Sequence, residues 1–535
     1  MHDPDSRCYR LKEEVYFEPL FNGWYAWPLL MAPLSAARYT TATHLRLMKS
    51  FIKNHQLHIA ASKQLAGGDF LYSTEKQLPQ IKALVESTEN NHSDLIALSE
   101  AIAELNDMLR AHTSGESLEP LYEKIPEPLK GYIELVFDLQ HNASFRVFEA
   151  LVYRSKLYKT ELQSASFGLL GGDQERPFML STPRVADDNH LQAHLPFNSP
   201  VLKQLLASRE DPLSMNEIDH IFNNNDCCGG LDYKSLFTDQ APKYSYTPLD
   251  QPYKLQYVGH AGFLLETPEV SILIDPVIAS RDDNDPMHMI SFSELPPRID
   301  YLCLTHTHSD HVQLETLLQL RHKVGTVLVP KNSGGMLCDP SLKLMLNQLN
   351  FNVSEFEDLE ALSNDNDVRI TAIPFMGEHG DLNIRSKTAW LIEFAGKKLF
   401  FGADATCLDE NVYKNIQQAI GDLDFLAIGL ECVGAPFTWL YGALYTEKVP
   451  KNIKDSRRLN GCNAAQANKL INIFNPKQVV IYALGLETCY KYFMGIEYEE
   501  NSEQLVQTGK LLEECKVRGI AAKKMIGSQE IKLVS

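Results

Sequence analysis

The chain has 535 residues, which by length suggests roughly two to four domains, and its 44% hydrophobic and 22% charged residues are those of a globular protein. Fifty basic against 69 acidic residues leave a net charge of −19, which disfavours non-specific binding to nucleic acid or to an anionic membrane. Ten scattered cysteines without any C-x-x-C spacing argue against a disulfide scaffold or a zinc ribbon. No signal peptide and no run of about eighteen apolar residues is visible, so the expected location is the cytoplasm.

In chain order, residues 1–20 are polar and are expected to form an arm. Two Pro-bounded aromatic segments follow, residues 17–28 with Trp24 and Trp27 and residues 33–39, read either as core or as a strap or inter-subunit contact. A helix is expected over 43–53, a break at 65–69, and an amphipathic helix over 92–111 from the spacing of Leu95, Leu98, Ile102, Leu105 and Leu109. A longer helix is expected over 132–162, then short strands at 179–183 and 194–197. After a Pro-punctuated linker the texture changes, which places a domain boundary near residue 246. Strands are predicted at 255–258, 263–266, 272–274, 301–304, 326–329, 368–373, 389–394, 398–402, 425–430 and 479–482. Helices at 315–321, 341–349, 462–474 and 502–515 are interleaved with them, a pattern of layered sheets covered by helices.

The stretch Leu304-Thr305-His306-Thr307-His308-Ser309-Asp310-His311 joins the expected buried strand at 301–304 to an expected amphipathic helix starting at 312. Alternation sends His306 and His308 to one side, while Asp310 and His311 leave the turn in another direction, so the loop suits two metal ions. A solvated polar loop has no reason to collect four ligand-type residues in six positions. Cys303, beside this loop, and Cys432 read as buried free thiols.

Gly259-His260-Ala261-Gly262-Phe263 with Ile274-Asp275-Pro276, the His306-x-His308-x-Asp310-His311 block and Phe401-Gly402-Ala403-Asp404 resemble successive motifs of the metallo-β-lactamase fold. The resemblance implies an α+β protein: a C-terminal αββα sandwich over 247–535 with a dinuclear site at its edge, preceded by an α-rich N-terminal domain over 1–246, with Asp404 as bridging carboxylate. Most hydrolytic members of that fold end their ligand set with a late histidine. No histidine follows His379 here, so the usual dizinc pattern is not met. The third motif offers Glu378 or His379, and neighbours on an extended segment point opposite ways, so one of the two is expected to face the metals. Glu431, closing the strand at 425–430, is a candidate replacement, against the plain reading of a strand-end surface charge. Together His306, His308, Asp310, His311, Glu378, Asp404 and Glu431 offer three imidazoles and four carboxylates, a set that suits iron or manganese and is of the kind used for dioxygen chemistry.

With Trp24-Tyr25-Ala26-Trp27-Pro28 and Ala36-Ala37-Arg38 added, the whole chain resembles the diiron β-hydroxylases of nonribosomal peptide pathways. That resemblance implies two irons, one held by His306, His308 and Glu378, the other by Asp310, His311 and Glu431, with Asp404 between them. It further implies O2 as cosubstrate, an aminoacyl group tethered as a thioester to a carrier protein as substrate, electrons from an external reductase, and a homodimer formed through the N-terminal domain. His260 is either a hydrogen-bond partner at the site or a structural residue of its turn, and His379 would stand behind the ligands. Arg146, Arg154, Lys156 and Lys159 are one candidate patch for an acidic carrier protein, against the plain reading of a solvated helix face. The rival reading is a dinuclear metal-dependent hydrolase acting on a lactone, phosphodiester or thioester, which would use His379 as a ligand. A non-catalytic carrier-binding scaffold is the third, opposed by the intact ligand set.

Overall fold

Alternating apolar residues build two seven-stranded sheets in the C-terminal half. The computed structural model describes residues 7–63, 70–171, 176–281, 287–363, 368–495 and 498–534. The break expected at 65–69 lies outside them. In spatial order the first sheet is Val353–Phe356, Val324–Pro330, Ile299–Cys303, Ser271–Ile274, Gly262–Glu266, Lys254–Gly259 and Gln529–Ile531. The second is Ala361–Ser363, Arg369–Ile373, Ala389–Phe394, Lys397–Phe401, Phe425–Gly429, Gln478–Tyr482 and Ala521–Lys524.

Side chains along a strand point alternately to its two faces, and both sheets use this to bury both. Tyr257, Phe263, Ile274 and Leu328 of the first sheet meet Trp390, Phe401, Phe425 and Tyr482 of the second. On the far face of the second sheet, Leu391, Phe400, Leu426 and Ile481 pack in one cluster with residues of the helices Ala464–Phe474 and Glu503–Val517. The layers are those of the predicted αββα sandwich.

The outer face of the first sheet carries Leu264, Leu273, Leu302 and Val327, and these share one apolar core with Phe17, Trp24, Trp27 and Phe51 of the N-terminal half. Between them lies the helix Leu314–Leu320, buried at all seven positions. The amphipathic helix expected there is therefore corrected: the N-terminal half covers the side that would otherwise meet water. Trp24 and Trp27 are core residues, Trp24 stacked on His44 at 3.8 Å. Arg38 is buried and donates to Ser99 O, Ala443 O and Tyr445 O, tying the N-terminal helices to a loop of the sandwich.

Three further expectations in the N-terminal half are corrected. The arm at 1–20 is, where described, the strands Cys8–Leu11 and Val15–Phe21, the second buried throughout and paired with Gln163–Leu169. Its polar residue Glu18 is buried because Arg176 and Arg184 pair with it. The helix at 132–162 is instead a hairpin of Ile133–Phe137 and Ala143–Val147 followed by short helical turns. Asp138 Oδ1 accepts from Gln140 N and Asn142 N, an Asx turn that reverses the chain. Thus Arg146 lies on a strand opposite Glu134, and Lys159 pairs with Asp94 and Glu161, so the basic helix face read from the sequence does not exist. Residues 179–183 and 194–197 are not strands; His190–Ala193 is, and it stops short of Pro196, which has no N–H to donate.

Candidate metal centre

The strands of both sheets end at one edge, and the loop from Leu304 to His311 is pinned across it. Trp390 Nε1 donates to Leu304 O at 3.1 Å, Thr388 N to Thr305 O at 2.7 Å, and His306 forms a β-bridge with Lys387. Around this edge the non-glycine residues His260, Asp275, Glu378, Ala403 and Ala483 have φ of 46°, 37°, 75°, 48° and 55°. Such left-handed conformations are costly without glycine, and their collection at one place is typical of functional sites.

Among the described residues three groups of ligand-type side chains form, each with its donor atoms within 4.8 Å of one another: His306, His308 and Glu378; His306, His311 and Asp404; His260, Asp310 and His311. His308 Nδ1 lies 2.8 Å from Glu378 Oε1, and His311 Nε2 lies 3.0 Å from Asp404 Oδ2 and 3.7 Å from Asp310 Oδ2. His306 Nε2 is 3.7 Å from Asp404 Oδ2. His260 is at the site, its Nε2 3.0 Å from Asp310 Oδ2 and its ring against Phe493.

The residues fit a pair of metal ions. His306 Nε2, His311 Nε2 and Asp404 Oδ1 are buried without a hydrogen-bond partner, an arrangement that is costly unless something else satisfies those atoms. Behind them, His311 Nδ1 is 2.7 Å from Asp275 Oδ2, and His306 Nδ1 is 3.0 Å from Thr305 Oγ1. Outer partners of this type orient imidazoles toward a metal. Burial and the surrounding imidazoles hold His306 well below its ordinary pKa, keeping its lone pair free.

Glu431 is placed differently. It stands outside the three groups and accepts from Gln504 Nε2 at 3.0 Å, although it lines one cavity with Asp310, Glu378 and Asp404. Burial, and then those carboxylates, push it up to about 8. His379 joins none of the groups: its ring centroid is 4.5 Å from that of His308, its Nδ1 is 2.8 Å from Tyr441 Oη, and its Nε2 has no partner. Cys303 is buried and Cys432 half-buried, both free thiols.

The cavity over the cluster has a volume of about 240 Å³, with His308, Asp310, Glu378, Asp404 and Glu431 at its polar end and Phe178, Trp439, Leu440 and Phe493 on its walls. Phe178 reaches it from the N-terminal half, where Met179 N donates to Tyr492 O at 2.8 Å. Sequence reasoning missed Tyr441, Gln504 and the part played by Asp275. Asp275 stood inside a quoted motif, whereas nothing around Tyr441 or Gln504 distinguishes them from core and helix-surface residues.

The fold and this cluster define a metallo-β-lactamase-fold protein with a dinuclear histidine-carboxylate site. Family models agree: the diiron non-heme β-hydroxylase N-terminal domain matches residues 10–241, and the β-lactamase superfamily domain matches residues 271–434. The 4-amino-L-phenylalanyl-[CmlP-peptidyl-carrier-protein] 3-hydroxylase of Streptomyces venezuelae is 34% identical over 97% of this chain and 98% of its own. The crystal structure of CmlA, a diiron β-hydroxylase from Streptomyces venezuelae, superposes with a TM-score of 0.89 at 32% identity, over 98% of this chain and 100% of that one. A metal-dependent hydrolase of Brucella ovis is 28% identical over only 26% of this chain and 67% of its own. The chain belongs to the diiron non-haem β-hydroxylase family, enzymes whose cofactor is a pair of irons.

Proposed function

We propose that this enzyme hydroxylates the β-carbon of an aminoacyl group held as a thioester on a peptidyl-carrier protein. The observation that carries the reading is the buried cluster of imidazoles and carboxylates at the polar end of a cavity, in a chain alike over its whole length to an enzyme that acts on a carrier-bound aminoacyl group. His306, His308 and Glu378 would hold one iron and Asp310, His311 and Glu431 the other, with Asp404 bridging. A pair of irons held there would supply dioxygen chemistry, in which O2, two electrons from a reductase and two protons convert the β C–H to C–OH and release one water.

The chain's own residues prepare the site. Asp275 and Thr305 orient His311 and His306. His260 hydrogen-bonds Asp310 and keeps its carboxylate turned inward. The apolar walls Phe178, Trp439, Leu440 and Phe493 exclude water from the acyl chain and leave the carboxylates at one end. The electrons come from a separate protein, since no nicotinamide or flavin fingerprint occurs in the sequence. Residues 1–246 serve dimerisation and access to the site, and residues 247–535 hold the metals. Tyr122, Leu139, Phe148 and Leu151, exposed on and around the hairpin of Ile133–Phe137 and Ala143–Val147, support a second copy docking there.

The test is metal analysis of protein made with iron, combined with mass spectrometry of an aminoacylated carrier after reduction and exposure to O2. The expected result is two irons per chain and a product heavier by one oxygen atom; bound zinc with thioester hydrolysis would overturn the reading. The ligand assignment is tested by Glu378→Ala against His379→Ala. Loss of iron is expected from the first and retention from the second.

A further inference from the structure

Residues 448–458 carry five basic side chains, Lys448, Lys451, Lys454, Arg457 and Arg458, against the single acid Asp455, in a chain whose net charge is −19. Glu447, just before them, is paired with Arg110. Lys448 and Lys451 are exposed and Lys454 is half-exposed, and none of the five has an ion-pair partner among the described residues. Their field is therefore open to a partner.

The strip is fastened to the wall of the metal cavity. Phe437 N donates to Arg457 O at 3.2 Å and Leu459 N to Ala435 O at 2.9 Å. Arg458 Nε donates to Gly434 O at 2.8 Å, and Arg458 itself lines the cavity beside Trp439. Arg457 Nε donates to Gly380 O at 2.7 Å, two residues from Glu378. Behind the strip, Arg38 holds the carbonyls of Ala443 and Tyr445. Val433, also lining the cavity, is 42% exposed, so apolar surface adjoins the positive strip.

We propose that residues 448–458 are the docking surface for the acidic face of the aminoacyl-carrier protein, an inference that rests on the carrier-bound substrate proposed above. An acyl group delivered on a carrier's flexible arm enters the cavity while the folded carrier stays outside, so the carrier body must rest where the cavity opens. Carrier proteins are acidic, and an unpaired basic strip beside an apolar rim supplies the steering charge and the contact area.

The test uses the iron-loaded full chain and, as probe, an excised peptidyl-carrier domain bearing an aminoacylated phosphopantetheine arm. The triple change K448E/K451E/K454E is expected to raise KM for this substrate about tenfold at low ionic strength and to flatten its salt dependence, with iron content and melting temperature as controls for folding. The triple change K414E/K516E/K532E, equal in charge, should leave KM within about twofold of the parent. Equal weakening by both triples, or by neither, overturns the docking surface. A parent enzyme that ignores the carrier-bound substrate but hydroxylates the same aminoacyl group as a free thioester overturns the carrier reading itself, and the docking surface with it.

Discussion

Asp275 and His311 are joined by a 2.7 Å contact between Oδ2 and Nδ1, and both side chains are fully buried. With the ring proton held at Nδ1, the lone pair of Nε2 is left for a metal ion on the side where Asp404 Oδ2 lies 3.0 Å away. Asp275→Asn keeps the shape of the side chain and removes its charge. Iron affinity is expected to fall about 10- to 100-fold, read as iron retained during titration with a chelator. Unchanged retention would show that Asp275 merely fills space.

Gly429 leaves room for Asp404, the carboxylate proposed to lie between the irons. A Cβ there would lie 2.6 Å from Asp404 Oδ1 and 3.0 Å from Ala403 O, so the Asp404 side chain or the strand end must move. Gly429→Ala is expected to bring iron per chain well below the parent value while far-ultraviolet circular dichroism is unchanged. Full iron loading would mean that Asp404 is not needed in its present position.

Tyr441 Oη stands 3.1 Å from His308 Nε2 and 2.8 Å from His379 Nδ1. Tyr441→Phe strands two buried ring nitrogens, at a cost of about 1–3 kcal/mol in urea unfolding. Iron binding should persist, because His308 faces Glu378 with its other nitrogen. Loss of iron without loss of stability would reverse the assignment of the two nitrogens.

The sandwich was legible because its signals are local. Strands such as Ala389–Phe394 and Phe425–Gly429 are short apolar runs between turns, and His306 to His311 are adjacent in sequence. What failed depends on distant partners. Within Val15–Phe21 the charge of Glu18 argues against a buried strand until Arg176 and Arg184 arrive beside it, and Leu314–Leu320 reads as amphipathic until the N-terminal half covers it. The hairpin at Ile133–Val147 was hidden by apolar residues that fit period 3.6 as well as period 2, although Asp138 and Asn142 held the turn signal. At the site, the third motif offered Glu378 or His379, and it is Glu378 that lies with His306 and His308. The Gln504 contact of Glu431 spans 73 positions and has no local signature.

Arg176 closes the junction between the two halves: it contacts Glu18 Oε1 at 2.9 Å and Glu315 Oε2 at 2.7 Å, with its guanidinium 3.5 Å above the Tyr492 ring. Burial raises the pKa of Glu18, but Arg184 and Arg176 overcome it and bring the group down to about 2 from its ordinary 4.5. A depressed carboxylate contributes stability that is fully present above its unfolded pKa and is lost as the pH falls through the folded one. Here that window runs from about pH 4.5 to about pH 2, and the contribution is about 3 kcal/mol. Arg176→Met leaves two buried carboxylates short of a cation and is expected to cost about 3–5 kcal/mol at neutral pH. The gap to the parent should narrow at pH 3, because Glu18 in the variant returns toward an ordinary carboxylate and has less to lose on acidification. Phe178, two residues along, lines the cavity, so turnover should fall further than iron content does. Urea titrations of both proteins at the two pH values check this, and a gap that stayed constant with pH would assign the cost to packing and not to the buried charges.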